Sequence, residues 1–137
     1  MTPAQFLLRS IATLAGLAAF AALMWFAWLG WDHQYYLVDG VPQGPYRPWQ
    51  VVGCALSVAV AAAAAYRLLR VPMLIPFVVL VADLGFAIPW GLDASSSDET
   101  GLWAVGLMML LVGGGFGLTL VVGVTAALTP RRPWTDR

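Results

Sequence analysis

The segment "RLLRVP", Arg67 to Pro72, joins two apolar runs, Val51–Leu69 and Pro72–Trp90. Each run has roughly the 20 residues needed to cross a hydrocarbon core about 30 Å thick. Pro72 suits the first turn of a helix, where its missing N–H has no partner to lose. A connection this short predicts that the two runs fold back on each other as an antiparallel helical hairpin, with Arg67 and Arg70 at the turn.

Two more apolar runs flank this pair, at about 6–30 and 102–128. The chain has 137 residues, 61% of them hydrophobic and 10% charged, with a mean hydropathy of +0.80. A soluble domain carries about a quarter charged residues, so this chain cannot cover itself in water. The prediction is an all-α integral membrane protein. One four-helix transmembrane domain fills residues 1–137, with spans at about 6–30, 51–69, 72–90 and 102–128 in an antiparallel bundle. Outer loops fall at 31–50 and 92–101, and no soluble domain has room to fold.

Charge sets the expected orientation. Short cytoplasmic loops collect basic residues. Arg9, Arg67, Arg70, Arg131, Arg132 and Arg137 fall on one side of the spans, and Arg47 alone on the other. Both termini are therefore expected in the cytoplasm. Asp32, Asp39, Asp93, Asp98 and Glu99 all belong to the outer loops. Trp25, Trp28, Trp31, Trp49, Trp90 and Trp103 also map to the outer end, with Trp134 alone inside. An aromatic belt normally populates both interfaces, so this outer excess asks for a second explanation. Arginine without lysine, on alanine-rich helices, points to a high-GC bacterial genome and thus to the bacterial cytoplasmic membrane. Arg9 followed by Ala19–Ala21 imitates a secretory signal, but the apolar run continues through Trp31, longer than a signal core. A retained first helix is expected.

The longer outer loop, "WDHQYYLVDGVPQGPYRPWQ", contains Asp39-Gly40, the strongest short hairpin signal. "YYLV" before it has strand character, while Pro42, Pro45 and Pro48 limit regular pairing. A small hairpin cap is expected there, folded onto Trp90 and Trp103. In the other outer loop, Ser97 or Asp98 can cap the fourth helix.

Small residues four apart mark close helix contacts in lipid. Span two carries Gly53, Ser57, Ala61 and Ala65. Span four carries Gly106, Gly113 and Gly117 on one face, which predicts a close neighbour there, either within the bundle or on another membrane protein. "GGGFG" at Gly113–Gly117 follows no strand and precedes no basic residue, so it is not read as a phosphate loop.

Asp83, in "VVLVADLGFAIPW", is the clearest candidate for chemistry. An acid near the middle of a span costs about 2.5–3.5 kcal/mol on insertion scales, so it should be protonated or paired. Ser57, at similar depth on span two, is the expected partner. A proton or cation site is the functional reading; an interhelical hydrogen bond is the structural one. Pro76 is expected to disturb the inner half of span three, and Pro89 to mark its outer end. His33 is the single histidine and Cys54 the single cysteine. That excludes an intramolecular disulfide, a CxxC redox pair and a bis-histidine haem. No metal-ligand spacing and no nucleophile–base pair occurs, and Ser95–Ser97 read as loop solvation. Neither enzyme activity nor a cofactor is expected.

Zero net charge gives no reason to expect nucleic acid. The expected function is protein–protein interaction: an accessory subunit, assembly partner or immunity-type protein of a bacterial membrane complex. Its contacts would be membrane lipids and either another membrane protein or a second copy of itself. His33, Tyr35, Tyr36, Tyr46, Arg47, Trp49, Trp90 and Trp103 form the candidate contact surface, because Tyr, Trp and Arg dominate binding hot spots. One alternative is a homo-oligomeric transporter or channel, small-molecule or proton-coupled, that uses Asp83. Another is a lipid or quinone site under the aromatic cap, with Arg47 meeting an anionic headgroup. Small multidrug exporters place their essential acid in the first helix, where this chain has none. Animal tetraspan scaffolds rely on loop disulfides, which one cysteine cannot supply.

Overall fold

The computed structural model describes residues 1–131; the basic tail with Arg132, Trp134 and Arg137 lies outside the described residues. Four long helices, α1 (Pro3–Trp28), α2 (Pro48–Leu69), α3 (Ile75–Ser97) and α4 (Trp103–Leu128), form an all-α bundle. Each is long and apolar enough to cross a membrane. Large apolar side chains such as Leu7, Phe26, Val60, Phe77, Met108 and Phe116 point outward on all four. Hydrocarbon solvates such a surface, and water does not.

The helices begin where local chemistry lets them. Thr2 accepts the Gln5 N–H at 3.2 Å while Gln5 Oε1 accepts the Thr2 N–H at 2.9 Å, a reciprocal cap with Pro3 just inside. α2 ends at Arg70, held in the left-handed region at φ 55°, and Pro72–Leu74 then form a single 3-10 turn before α3. Pro76 falls in the first turn of α3, among N–H groups that have no intrahelical partner anyway. It therefore removes no hydrogen bond from the helix interior and follows directly on the 3-10 turn.

The outer end of α3 differs from expectation. Pro89 lies inside the helix, which continues to Ser97, so the polar loop expected at 92–101 shrinks to Asp98–Leu102. The serines explain this extension. Ser95 Oγ donates to Leu92 O at 3.0 Å, Ser96 Oγ to Asp93 O at 2.8 Å and Ser97 Oγ to Asp93 O at 3.0 Å. These bonds stay inside the helix rather than leading the chain out of it.

Close approaches fix the directions. Arg9 at the start of α1 donates to Leu68 O at the end of α2, and Gln50 at the start of α2 donates to Trp28 O at the end of α1. α3 and α4 run antiparallel, with Trp90 against Gly106 and Asp83 against Gly114. α1 packs chiefly on α3 and α2, and α4 packs on α3 and α2. The order around the bundle is thus α1–α2–α4–α3. α2 and α3, joined by the shortest connection, face each other across a diagonal and touch over a shorter stretch. The inner core is built on small residues, with Ala21, Ala62, Ala82, Val78 and Val122 fully enclosed beside Tyr66 and Leu69. Small side chains let helix backbones approach closely, which is the main source of cohesion in lipid.

Between α1 and α2, strands β1 (Tyr36–Val38) and β2 (Val41–Gln43) pair antiparallel, with Val38 opposite Val41 and Leu37 opposite Pro42. Asp39 and Gly40 turn the chain with φ of 52° and 79°, the two positive values a tight two-residue hairpin needs. Bonded and non-bonded pairs alternate in such a ladder. Pro42, one residue beyond the turn-closing pair, therefore occupies a place where no N–H is required.

Candidate functional site

Two regions carry polar chemistry: the outer cap and the Asp83 wall. The cap is anchored by Gln50, which is fully enclosed. Its Oε1 accepts the Arg47 N–H at 2.8 Å, and its Nε2 donates at 3.2 Å both to Trp28 O and to Asp32 Oδ2. One side chain thus ties the end of α1, the following loop and the start of α2. Sequence reasoning passed over Gln50; its only signal is a polar residue two positions after the proline that opens the helix.

Around that anchor the aromatic residues divide. Trp25, Leu29 and Cys54 form a buried outer cluster, with Trp28, Tyr46, Phe86 and Trp90 packed against it. The Arg47 guanidinium lies 5.4 Å from the Tyr36 ring centroid, within cation–π range. Trp28 and Trp49 meet edge to face at 6.4 Å. Burial, then the nearby Asp93 carboxylate and the Tyr35 phenol, push the Tyr46 hydroxyl above its ordinary pKa. Tyr46 is thus the cap residue that packs on the outer cluster, against which Trp90 packs from α3. Trp103 stands apart, in a shallow depression between α3 and α4 with Gly91 and Leu107, and its backbone N–H donates to Asp98 Oδ2 at 2.7 Å. Asp98 also accepts the Thr100 N–H and hydroxyl, and these donors hold its carboxyl below the usual range. Asp98 thus caps α4, while Ser97 bonds within α3. His33, Tyr35, Trp31 and Trp49 remain exposed.

Asp83 is 8% exposed and rests on α4 rather than on Ser57. A Cβ built on Gly114 would stand 2.5 Å from Asp83 Oδ1, and one on Gly115 would stand 3.4 Å from Oδ2. Ser57 Oγ instead donates to Gly53 O at 2.7 Å within its own helix. The expected Ser57–Asp83 pair is therefore not formed. The reason is the packing order, which turns α3 toward α1 and α4 and leaves α2 across the diagonal.

The small-residue stripes resolve in the same way. On α2, Gly53 makes room for the Trp28 ring, 2.5 Å from where a Cβ would be, while Ala61 and Ala65 enter the inner core. On α4, Gly106 takes the Trp90 ring at 3.0 Å, but a Cβ on Gly113 or Gly117 would meet nothing within 4 Å. A Cβ at either position would thus meet open space. The two glycines line a partly open cavity of about 380 Å³ between α2 and α4, together with Cys54, Val58, Leu118 and Asp83. The run "GGGFG" therefore serves two faces at once, with Gly114 and Gly115 against Asp83 and Gly113 and Gly117 on the cavity.

The class this fold defines is a four-helix bundle of membrane-spanning length, with one enclosed acid in its wall and an aromatic cap at one end. No family model, no curated protein and no solved structure matches this chain.

Proposed function

We propose that the chain is an interaction subunit of a bacterial cytoplasmic membrane complex, with both termini in the cytoplasm and the hairpin cap outside. Arg9, Arg67 and Arg70 share one end of the bundle, and the acidic loops share the other, the distribution that cytoplasmic loops favour. The observation that carries the functional reading is the cap. Tyr35, Leu37 and Trp31 stay exposed beyond the ends of the helices, on a hairpin held at its base by Gln50 and by the Arg47–Tyr36 contact. A surface already ordered before contact loses less entropy on binding. Tyr, Trp and Arg are the residue types that concentrate binding energy. The partner is another membrane protein with an outward-facing segment. A photo-cross-linking residue at Leu37 in the native host should trap one stoichiometric membrane protein, and Tyr35→Ala should reduce that yield. Recovery of the lone chain in gentle detergent would overturn the reading.

The cavity beside Asp83 favours a second reading, a homo-oligomeric transporter or channel with Asp83 as its coupling site. Asp83→Asn should then abolish proton-coupled flux in vesicles while the protein stays folded. An absence of flux in the parent chain would remove it.

A further inference from the structure

We propose that the α2–α4 cavity is a binding site for a compact hydrophobic organic cation, an ammonium on an apolar body, with Asp83 as its counter-ion. The site has two independent parts. The first is space: about 380 Å³, partly open between α2 and α4, in the size range of small-molecule sites. The second is an enclosed carboxyl in its wall. Asp83 is more than nine-tenths buried, it lines the cavity, and its oxygens lie against Gly114 and Gly115, which have no side chain to donate a hydrogen bond.

Among the described residues, no cation reaches this place. Arg9 reaches Leu68 O and Arg70 reaches Arg67 O at one end of the bundle, while Arg47 lies over Tyr36 at the other. Asp83 sits about two turns from the start of α3 and about four from its end. An ionised Asp83 has no counter-charge among the described residues, and a positive ligand would supply one. Calcium or magnesium needs six or more oxygen ligands, and no cluster of three or more His, Cys, Asp or Glu gathers among the described residues. An ammonium asks for one carboxylate, and its hydrocarbon body matches walls formed by Val58, Leu118 and Phe86. The inference shares Asp83 with the transport reading but concerns equilibrium binding alone. A chain that binds the cation and carries no flux leaves it standing.

The test uses the full chain in nanodiscs and three probes with one apolar cage: 1-adamantylammonium, 1-adamantanol and 1-adamantanecarboxylate. The ammonium should bind saturably, one per chain, and the alcohol and carboxylate at least about tenfold more weakly, the scale of a desolvated charge pair. Asp83→Asn should remove that preference. Gly117→Leu, which places a side chain where a Cβ meets nothing within 4 Å, should block the ammonium with Asp83 intact. Equal binding of ammonium and alcohol would mean a mere apolar filler and overturn the proposal. Absence of saturable ammonium binding, or ammonium binding unchanged in Asp83→Asn, would also overturn it. Should Asp83→Asn fail to fold, Gly117→Leu decides: unchanged ammonium binding there places the ligand elsewhere.

Discussion

Asp83 Oδ1 lies where a side chain on Gly114 would have to begin, 2.5 Å from the position of its Cβ. The acid and the glycine are therefore one fitted pair, and a branched residue at position 114 must displace either the carboxyl or the α3–α4 contact. Gly114→Val should lower thermal stability in detergent by about 1–3 kcal/mol, the usual cost of overpacking. Adding Asp83→Ala should recover much of that loss. A double-mutant cycle with no coupling between the two positions would contradict the contact.

Gly85 and Gly117 should respond in opposite directions to the same substitution. A Cβ on Gly85 would stand 2.7 Å from Ala18 O and 3.0 Å from Ala18 Cα, backbone atoms that cannot rotate away. Gly85→Ala should destabilise by more than about 1 kcal/mol as α1 and α3 separate. Gly117→Ala meets open space and should be neutral or stabilise by up to about 1 kcal/mol, the helix preference of alanine over glycine. Thermal unfolding of both variants, side by side, checks the prediction.

Gln50→Leu should loosen the cap without dissolving the bundle. It strands the Arg47 N–H and removes the donor to Trp28 O and Asp32, at a cost of about 1–3 kcal/mol for the buried groups left unpaired. Faster amide exchange at Arg47 and through the hairpin, with slow exchange kept in the inner half of α2, is the expected pattern. Uniform exchange across the whole chain would contradict it.

The start of α4 should be sensitive to acid. The Asp98 carboxyl is held below the ordinary range by the Thr100 hydroxyl, the Thr100 N–H and the Trp103 N–H. A depressed value means that its contribution is present above the unfolded carboxylate pKa, near 4. That contribution is lost as pH falls through the lower folded value. An NMR titration should place Asp98 below the ordinary carboxylate range and show the Trp103 amide shifting with it. Asp98→Asn should abolish that coupled shift.

The helices were legible because hydropathy, proline placement and arginine position report directly on a bilayer. The four spans follow from composition and length alone, and the Asp39-Gly40 turn is written in two residues whose backbone preferences are unusual. What escaped was lateral order. Nothing in the sequence states that α3 turns toward α1 and α4, so Ser57 was paired with Asp83 on chain adjacency. The end of α3 was misplaced because Pro89 and three serines resemble a helix stop in water. In a helix end where serine hydroxyls bond to preceding carbonyls, they are tolerated. Within the candidate site, Asp83 announced itself by its depth, and Gly113 and Gly117 by their spacing. Gln50 and Gly114 had no such mark, since their roles come from what lies opposite them.

The order of the helices around the bundle also bears on how the protein is made. As α3 leaves the ribosome it can lean on α1, already inserted, but the wall against which Asp83 rests belongs to α4, which is synthesised after it. Until Gly114 arrives, a newly inserted α3 presents its acid to lipid or to the translocation machinery. A nascent chain stopped before Leu111 should therefore hold α3 in the membrane less firmly than one that has reached Leu128, and α4 is the helix that completes insertion.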